Sequence, residues 1–259
     1  LCLSKLHYIQ EEKGFLRCGA GVKNTEIAIK ALELESKTCA WMHRLPGQIG
    51  ATVRMNARCY GGEISQIVSG LQTVTKEGLI RNYEIALDDR KNVFRGYKDT
   101  IFMDNNEIVT EVTLQMASGN PTEIKAVMDH CEADRKAKGH FAFPTCGCVF
   151  KNDYSPEVSV SSGFLLEKSG VKGMAQGGAK VSQRHANFIY NQGASSREIL
   201  ELSLSMREKV WEMFGVWLEY EMEILGTIPE DLASRVNEKR QANYQHTSLE
   251  KARREFHSR

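Results

Sequence analysis

The sequence predicts an α+β protein, and three observations carry that reading. Short β-branched runs broken by turn residues recur between Ile64 and Met116, the pattern of strands. Longer stretches at 122–139 and 195–215 place apolar residues at helical spacing. No internal repeat runs through the 259 residues, so these elements build ordinary layers and not a solenoid.

Taken in order, "GFLRCGAG" runs from a short apolar stretch into Gly19 and Gly21. "NTEIAIKALELES" (24–36) reads as a helix with Ile27, Ala28, Ala31 and Leu32 on one face, capped by Asn24 or Thr25. In "RLPGQIGATVRMNARCYGGEISQIV" (44–68), Gly47, Gly50, Gly61 and Gly62 punctuate apolar pieces, as in loops that let a partner approach the backbone. "EISQIVSGLQTV" and "IFMDNNEIVTEVTLQM" read as strands, with "DNN" as a hairpin turn. "TEIKAVMDHCEADRKAKG" (122–139) is an amphipathic helix closed by basic residues and Gly139. "CGCVFKN" is a short strand entering a turn, "GFLLEKSGVKG" a helix stopped by glycine, and "HANFIYN" a strand. "SSREILELSLSMREKVWEMFG" (195–215) is a long helix capped by Ser195 or Ser196 and ended by Gly215. "VWLEYEMEIL" alternates as a strand, and the charged residues after Gly226 read as a solvated helix or a partly disordered tail.

Bulk properties narrow the function. A 41% hydrophobic content allows a sizeable core, and a formal charge of +1 from 34 basic and 33 acidic residues gives no nucleic-acid footprint. No apolar run approaches the roughly 20 residues that span a bilayer, and no signal-peptide pattern opens the chain. Seven irregularly spaced cysteines, with Cys146 and Cys148 as C-x-C and no second pair to complete a zinc site, fit reduced thiols in a cytoplasm. The first residue is Leu1 rather than Met, so the true start is expected to lie upstream.

Three stretches carry polar groups that a plain core would not need. The glycine loop at 46–62 can offer backbone N–H groups to a pyrophosphate or a flavin edge, or it is an irregular surface loop. Cys148, between Gly147 and a Lys-Asn pair, can serve as an acid or nucleophile, or as a small buried hydrophobe. On a strand, Glu219, Glu221 and Glu223 share a face that is either merely exposed or supplies a general acid.

In order, these stretches resemble the UDP-N-acetylenolpyruvoylglucosamine reductases (UDP-N-acetylmuramate dehydrogenases). "RLPGQIGATVRMNARCYG" is similar to that family's flavin loop and keeps Pro46, Gly47, Gly50, Asn56, Tyr60 and Gly61, with Arg58 and Cys59 replacing the usual Gly-Ala. "YKDTIF" (97–102) resembles its Y-R-x-S-x-F box, and "GCVFKND" (147–153) its G-S-x-F-K-N-P box. "SGFLLEKSGVKGMAQGGAKVSQRHANFIYNQGASS" and "GVWLEYEMEILG" resemble its later boxes, so the likeness covers about residues 15–226. The short interval between Lys98 and Cys148 matches the branch that lacks an extra tyrosine-bearing loop.

The resemblance implies an FAD-binding domain of the PCMH (vanillyl-alcohol-oxidase-like) type and a small α+β substrate domain. It implies a second lobe of the FAD-binding domain at 1–139, a UDP-sugar-binding domain at 140–222 and a charged tail at 223–259. It implies that NADPH reduces bound FAD and that the flavin N5 hydride then adds to the enolpyruvyl ether of UDP-N-acetylglucosamine, leaving an enolate to be protonated. Cys148 takes the place of the family's serine as proton donor, a tolerable change because a thiol is the stronger acid. Glu221, the second carboxylate of L-E-x-E, would stand protonated beside the enolate. Lys98 stands for the family's arginine and keeps the cation while losing the bidentate fork. Gly19, Gly21 and the loop residues Pro46 to Gly61 would hold FAD, while Lys138, Asn152, Lys172 and His185 would meet the UDP-sugar.

The expected setting is a cytoplasmic monomer in peptidoglycan precursor synthesis, with no nucleic-acid or membrane partner and no metal. The family's opening segment, with an L-G-x-G-S-N phosphate loop, has no counterpart here, so the expectation is a chain lacking that first lobe and holding FAD poorly. The alternatives are a non-catalytic remnant that binds UDP-sugar, and a sugar oxidase of the same superfamily, against which "CGCVFKN" and "HANFIYN" argue.

Overall fold

A computed structural model of the chain describes residues 2–86, 90–242 and 246–258. It divides into two compact units, Leu1–Asp134 and Arg135–Arg259. Residues 223–259 lie in the same compact unit as residues 140–222.

The first unit is organised by an antiparallel sheet of β1 (Ile9–Glu12), β2 (Phe15–Gly19), β5 (Val68–Val74), β6 (Ile80–Glu84) and β9 (Ile108–Gln115), in the order β1-β2-β9-β5-β6. Its inward residues alternate as a half-buried sheet requires: Leu16 and Cys18 face Leu114 and Val112 across the β2–β9 ladder, and Val112 pairs onward with Leu71. Helix α1 (Asn24–Glu33) adds Ile27, Ala28 and Ala31 to the same core. The cap expected from Asn24 or Thr25 is not made. Lys23 holds the cap position, and Asn24 lies buried, with Thr52 Oγ1 donating to its Oδ1 at 2.9 Å. Helix α2 (Ile49–Arg54) leads into the short ladder of β3 (Arg58–Cys59) and β4 (Gly62–Glu63). Helix α3 (Arg90–Val93) precedes a second short ladder, β7 (Phe94–Gly96) with β8 (Asp99–Thr100).

"DNN" is no hairpin. Ile101–Met103 form a single 3-10 turn, and β9 takes β2 and β5 as partners. The hairpin lies between β5 and β6, where Gly78 at φ +84° supplies the left-handed turn residue. The long helix α4 (Pro121–Ala137) runs across the division between the units and stops ahead of Gly139, at φ +76°.

The second unit is built on α6 (Ser196–Phe214). Ser195 and Glu198 form a capping box at its start, and Gly215 closes it at φ +65°. Its face of Leu202, Met206, Val210 and Phe214 packs with Leu165 and Leu166 of α5 (Ser162–Lys168). The same core takes Ala179 and Val181 of β11 (Ala179–Val181) and Ile189 of β12 (Ile189–Asn191), which with β10 (Ala175–Gln176) form a three-stranded sheet.

The segment read as a tail folds back as α7 (Glu230–Val236) and α8 (Thr247–His257). Leu232 and Val236 pack against Leu200 and Leu204, while Leu249 and Ala252 enter the main cluster. Burying each of the three larger side chains contributes roughly 1.5–3 kcal/mol, enough to hold a segment that composition alone marks as solvated.

Candidate active site

Within the first unit the glycine loop is built on strained backbone. Tyr60 and Gly61 are the two central residues of the β3–β4 turn, at φ +50° and +79°, the type I′ geometry that tight hairpins demand. A tyrosine there costs about 1 kcal/mol, offset by its hydroxyl donating to Asp134 Oδ2 at 2.8 Å and by an edge contact with the His130 ring. Asn56, at φ +38° and 1% exposed, donates from Nδ2 to Glu63 Oε1 at 2.9 Å and to Gly96 O at 2.8 Å. Its Oδ1 is buried with no hydrogen-bond partner among the described residues. The Gly96 bond ties the loop to the β7–β8 turn, which carries Tyr97 and Lys98. There Lys98 sits at φ +53°, and the Arg58 guanidinium lies 4.6 Å from the Tyr97 ring centre. Backbone strain held in place by such bonds gathers at functional positions, and three expected site residues (Asn56, Tyr60 and Lys98) carry it.

The loop fits a cofactor in part. Gly61 has open space where a side chain would stand, Gly47 keeps a left-handed φ of +108°, and Asn56 offers a buried acceptor. Gly50 does a different job, letting α2 close on Ala20. Gly19 and Gly21 do not form an open cradle: a Cβ on either would overlap the backbone of Leu6 or Leu3, and Gly21 N–H donates to Leu6 O at 2.9 Å. These two glycines make room for the chain's own first residues. Pro46 opens the loop and is exposed.

In the second unit the "GCVFKN" segment is held from both sides. Cys148 bridges Phe188, Val149 N–H donates to Asn187 O at 2.9 Å, and Asn187 adds two side-chain bonds to the Phe150 backbone. On the other side Glu221 N–H donates to Val149 O at 2.8 Å and Lys151 N–H to Glu219 O at 2.8 Å. The result is one partly buried thiol and one partly buried carboxylate on neighbouring strands of backbone. Residues 216–225 are extended but irregular, with one bridge at Tyr220. Parity therefore no longer equates the three glutamates: Glu219 and Glu223 are exposed, and Glu221 is half-buried. Crowding around the Cys146 thiol, although its surface is open to solvent, pushes its pKa up, and the Glu221 charge adds to that.

The other expected residues divide. His185 stacks against Phe188, 4.3 Å between ring centres, and so joins the Cys148 segment. Asn152 sits at the start of α5, its Oδ1 accepting from Ser162 N and Oγ at 2.9 Å each, and its Nδ2 donating to Tyr154. Lys172 pairs with Glu167 at 2.9 Å, and Lys138 is exposed after α4.

Two residues went unnoticed in the sequence. Asn187 is one, and Tyr190 is the other; the Tyr190 hydroxyl donates to Gly139 O at 2.6 Å and accepts from Ser182 Oγ at 3.0 Å. The available signal was a polar Asn between Ala186 and the run Phe188–Tyr190, where a buried strand has no place for an unpaired amide.

A model of the C-terminal domain of UDP-N-acetylenolpyruvoylglucosamine reductase matches residues 139–225. The reductase of Latilactobacillus sakei is 35% identical over 211 residues, 81% of this chain and 66% of that protein. The reductase of Oceanobacillus iheyensis is 34% identical over 231 residues, 88% of this chain and 71% of that one. In Thermotoga maritima the figures are 32% over 217 residues, 83% and 72%. The chain thus spans about two thirds to three quarters of the length of these relatives. The crystal structure of the Thermus caldophilus reductase superposes with a TM-score of 0.65 at 27% identity, covering 80% of this chain and 71% of that one. With relatives of this identity over this share of their length, the chain belongs to the UDP-N-acetylenolpyruvoylglucosamine reductase family.

Proposed function

We propose that this chain is a flavin-dependent reductase acting on the enolpyruvyl ether of UDP-N-acetylglucosamine to give UDP-N-acetylmuramate, in the cytoplasm and for cell-wall precursor synthesis. The observation that carries the reading is the clamping of the Cys148 segment between Asn187 and Glu221. FAD, when bound, supplies the hydride it takes from NADPH, and Gly47, Asn56, Tyr60 and Gly61 would hold it. Cys148 delivers the proton from Sγ to the carbon bearing the substrate carboxylate. Glu221 supports the charge that develops there, and Lys98 provides a cation for the carboxylate. His185, Asn152, Lys138 and Lys172 serve the UDP-sugar; for Asn152 and Lys172 this means exchanging the partners they hold in the free chain.

Cys148→Ala tests the assignment. Flavin reduction by NADPH should stay within about twofold of the parent, while reoxidation by substrate slows by roughly 10²–10⁴, the usual worth of general acid catalysis. Equal losses in both half-reactions would refute Cys148 as the donor, and Cys148→Ser should restore turnover.

A second reading, a chain that binds UDP-sugar but retains FAD poorly, is favoured by the filling of the Gly19 and Gly21 spaces by Leu3–Leu6. Separate titrations of FAD and UDP-N-acetylglucosamine distinguish the two. Stoichiometric, tightly held FAD supports the first reading; UDP-sugar binding with FAD weaker than about micromolar supports the second.

A further inference from the structure

We propose that Cys146 and Cys148 form a reversible disulfide across Gly147, a modification site built into the segment that carries the proton donor. The consequence for catalysis rests on the reading of Cys148 given above; the disulfide itself does not.

Burial separates these two thiols from Cys18, Cys39 and Cys131, and adjacency in the chain separates them from the exposed Cys2 and the half-buried Cys59. Cys18, Cys39 and Cys131 are fully buried, so these thiols are out of reach of a dissolved oxidant. Cys146 is exposed and Cys148 half-exposed, with a single glycine between them. Two residues apart, their Cα atoms can be separated by at most about 7 Å, the outer limit for a disulfide. The chain does not run straight there. It bends at Gly147, whose φ is +87°, and Gly147 N–H donates to Thr145 Oγ1 at 3.2 Å.

Both ends of the tripeptide are tied to one stretch of backbone. Asn191 N–H donates to Pro144 O at 2.8 Å on one side, and on the other Cys148 bridges Phe188 while Val149 holds Asn187. The backbone of the two cysteines is thereby held along one stretch of chain, and the second exchange step is intramolecular. Gly147 itself has no heavy atom within 4 Å of where a side chain would stand, so its backbone can adjust as the small ring closes.

The chemistry is thiol–disulfide exchange with a small disulfide oxidant such as oxidised glutathione. One thiolate attacks the oxidant, breaking its S–S bond and releasing one thiol. The second thiolate attacks the mixed disulfide, forming the Cys146–Cys148 S–S bond and releasing the other. Two S–H bonds are lost from the protein and two are gained by the oxidant. In the oxidised form Cys148 has no proton to give.

The test is made on the full chain. Cleavage after Lys138 and Lys151 releases Gly139–Lys151, a peptide holding Cys146 and Cys148 and no other cysteine. The chain is equilibrated in glutathione buffers of increasing oxidised fraction, trapped with N-ethylmaleimide, digested and weighed. A peptide lighter by two hydrogens, unreactive to the maleimide and restored by excess reduced glutathione, is the expected result. In Cys146→Ser the peptide should carry glutathione or the alkylating agent on Cys148. Double alkylation of the parent peptide in fully oxidised buffer, or pairing of either cysteine elsewhere in the chain, would overturn the proposal. Full turnover by the oxidised form would leave the disulfide standing and remove Cys148 as proton donor.

Discussion

Replacing Asn187 with alanine removes the amide that holds the candidate active segment in place. Asn187 is 1% exposed, and its side chain makes three bonds: Phe150 N–H to Oδ1 at 3.0 Å, and Nδ2 to Phe150 O at 2.8 Å and to Ser162 Oγ at 2.9 Å. Phe150 and Ser162 are fully buried, so no water replaces what is lost. Ser162 retains its bond to Asn152 Oδ1 and a longer one to Phe150 O at 3.3 Å, which leaves the Phe150 N–H as the group stranded outright. At roughly 1–3 kcal/mol for a stranded buried group, plus a share for the weakened carbonyl, the loss is about 3 kcal/mol. A cooperative unit of this size loses about 3 °C per kcal/mol, so Tm should fall by roughly 9 °C.

Asn187→Asp sharpens the test. Its acid form can still donate to Phe150 O; its carboxylate cannot, and burial disfavours the charge. The folded-state pKa therefore lies above the unfolded value of about 3.9. Stability is retained below the unfolded pKa, is lost as pH rises toward the folded pKa, and levels off above it. Urea unfolding followed by circular dichroism at about pH 4 and pH 7 measures both effects, and hydrogen exchange at the Phe150 amide reports the local loosening. An Asn187→Ala variant within about 0.5 kcal/mol of the parent, or an Asp variant with the parent's pH dependence, would refute the clamp.

Glu107 gives the first unit an acid limit. Its burial alone would raise its pKa, but bonds from Thr73, Tyr83 and Arg81 outweigh this and hold it below the ordinary glutamate range. Its contribution is thus present above the unfolded pKa of about 4.3 and fades as pH falls through the folded one; a Glu107→Gln variant should show a shallower acid slope, and an unchanged slope would discount the network. Glutamine at Glu221 should slow substrate-driven flavin reoxidation, while at exposed Glu219, which pairs with Lys151 at 3.9 Å, it should change little. A larger defect at Glu219 would show that the L-E-x-E register is misassigned.

Arg207, 2% exposed, lies between the Trp217 and Tyr220 rings at 4.1 and 4.7 Å and donates to the carbonyls of Arg235 and Val236. Arg207→Met should cost about 2 kcal/mol by stranding those carbonyls, with hydrogen exchange in α7 quickening first. Unchanged exchange at 230–236 would mean that α7 is held by its apolar contacts alone.

Local order was legible in the sequence. The serine pair at 195–196 and Gly215 mark both ends of α6 because a cap joins residues three or four positions apart, and apolar spacing alone sets its buried face; the structure settles the cap on Ser195. The ordered boxes likewise identified the family and the segment that carries Cys148. Tertiary structure decided which atoms fill each space. Gly19 and Gly21 have the composition of a ligand cradle, yet Leu3–Leu6 occupy it. "DNN" has turn chemistry, yet β9 finds stronger pairing with β2 and β5. Asn24 could cap, but once buried it must satisfy Thr52 instead. The three glutamates share a parity only on a regular strand; the irregular path past Tyr220 half-buries Glu221 and leaves its neighbours in solvent. Even the charged tail is held by four residues, Leu232 and Val236 against Leu200 and Leu204 of α6, and Leu249 and Ala252 in the main cluster. In each case the deciding contact joins residues far apart in the chain, and neither composition nor periodicity records which surfaces will meet.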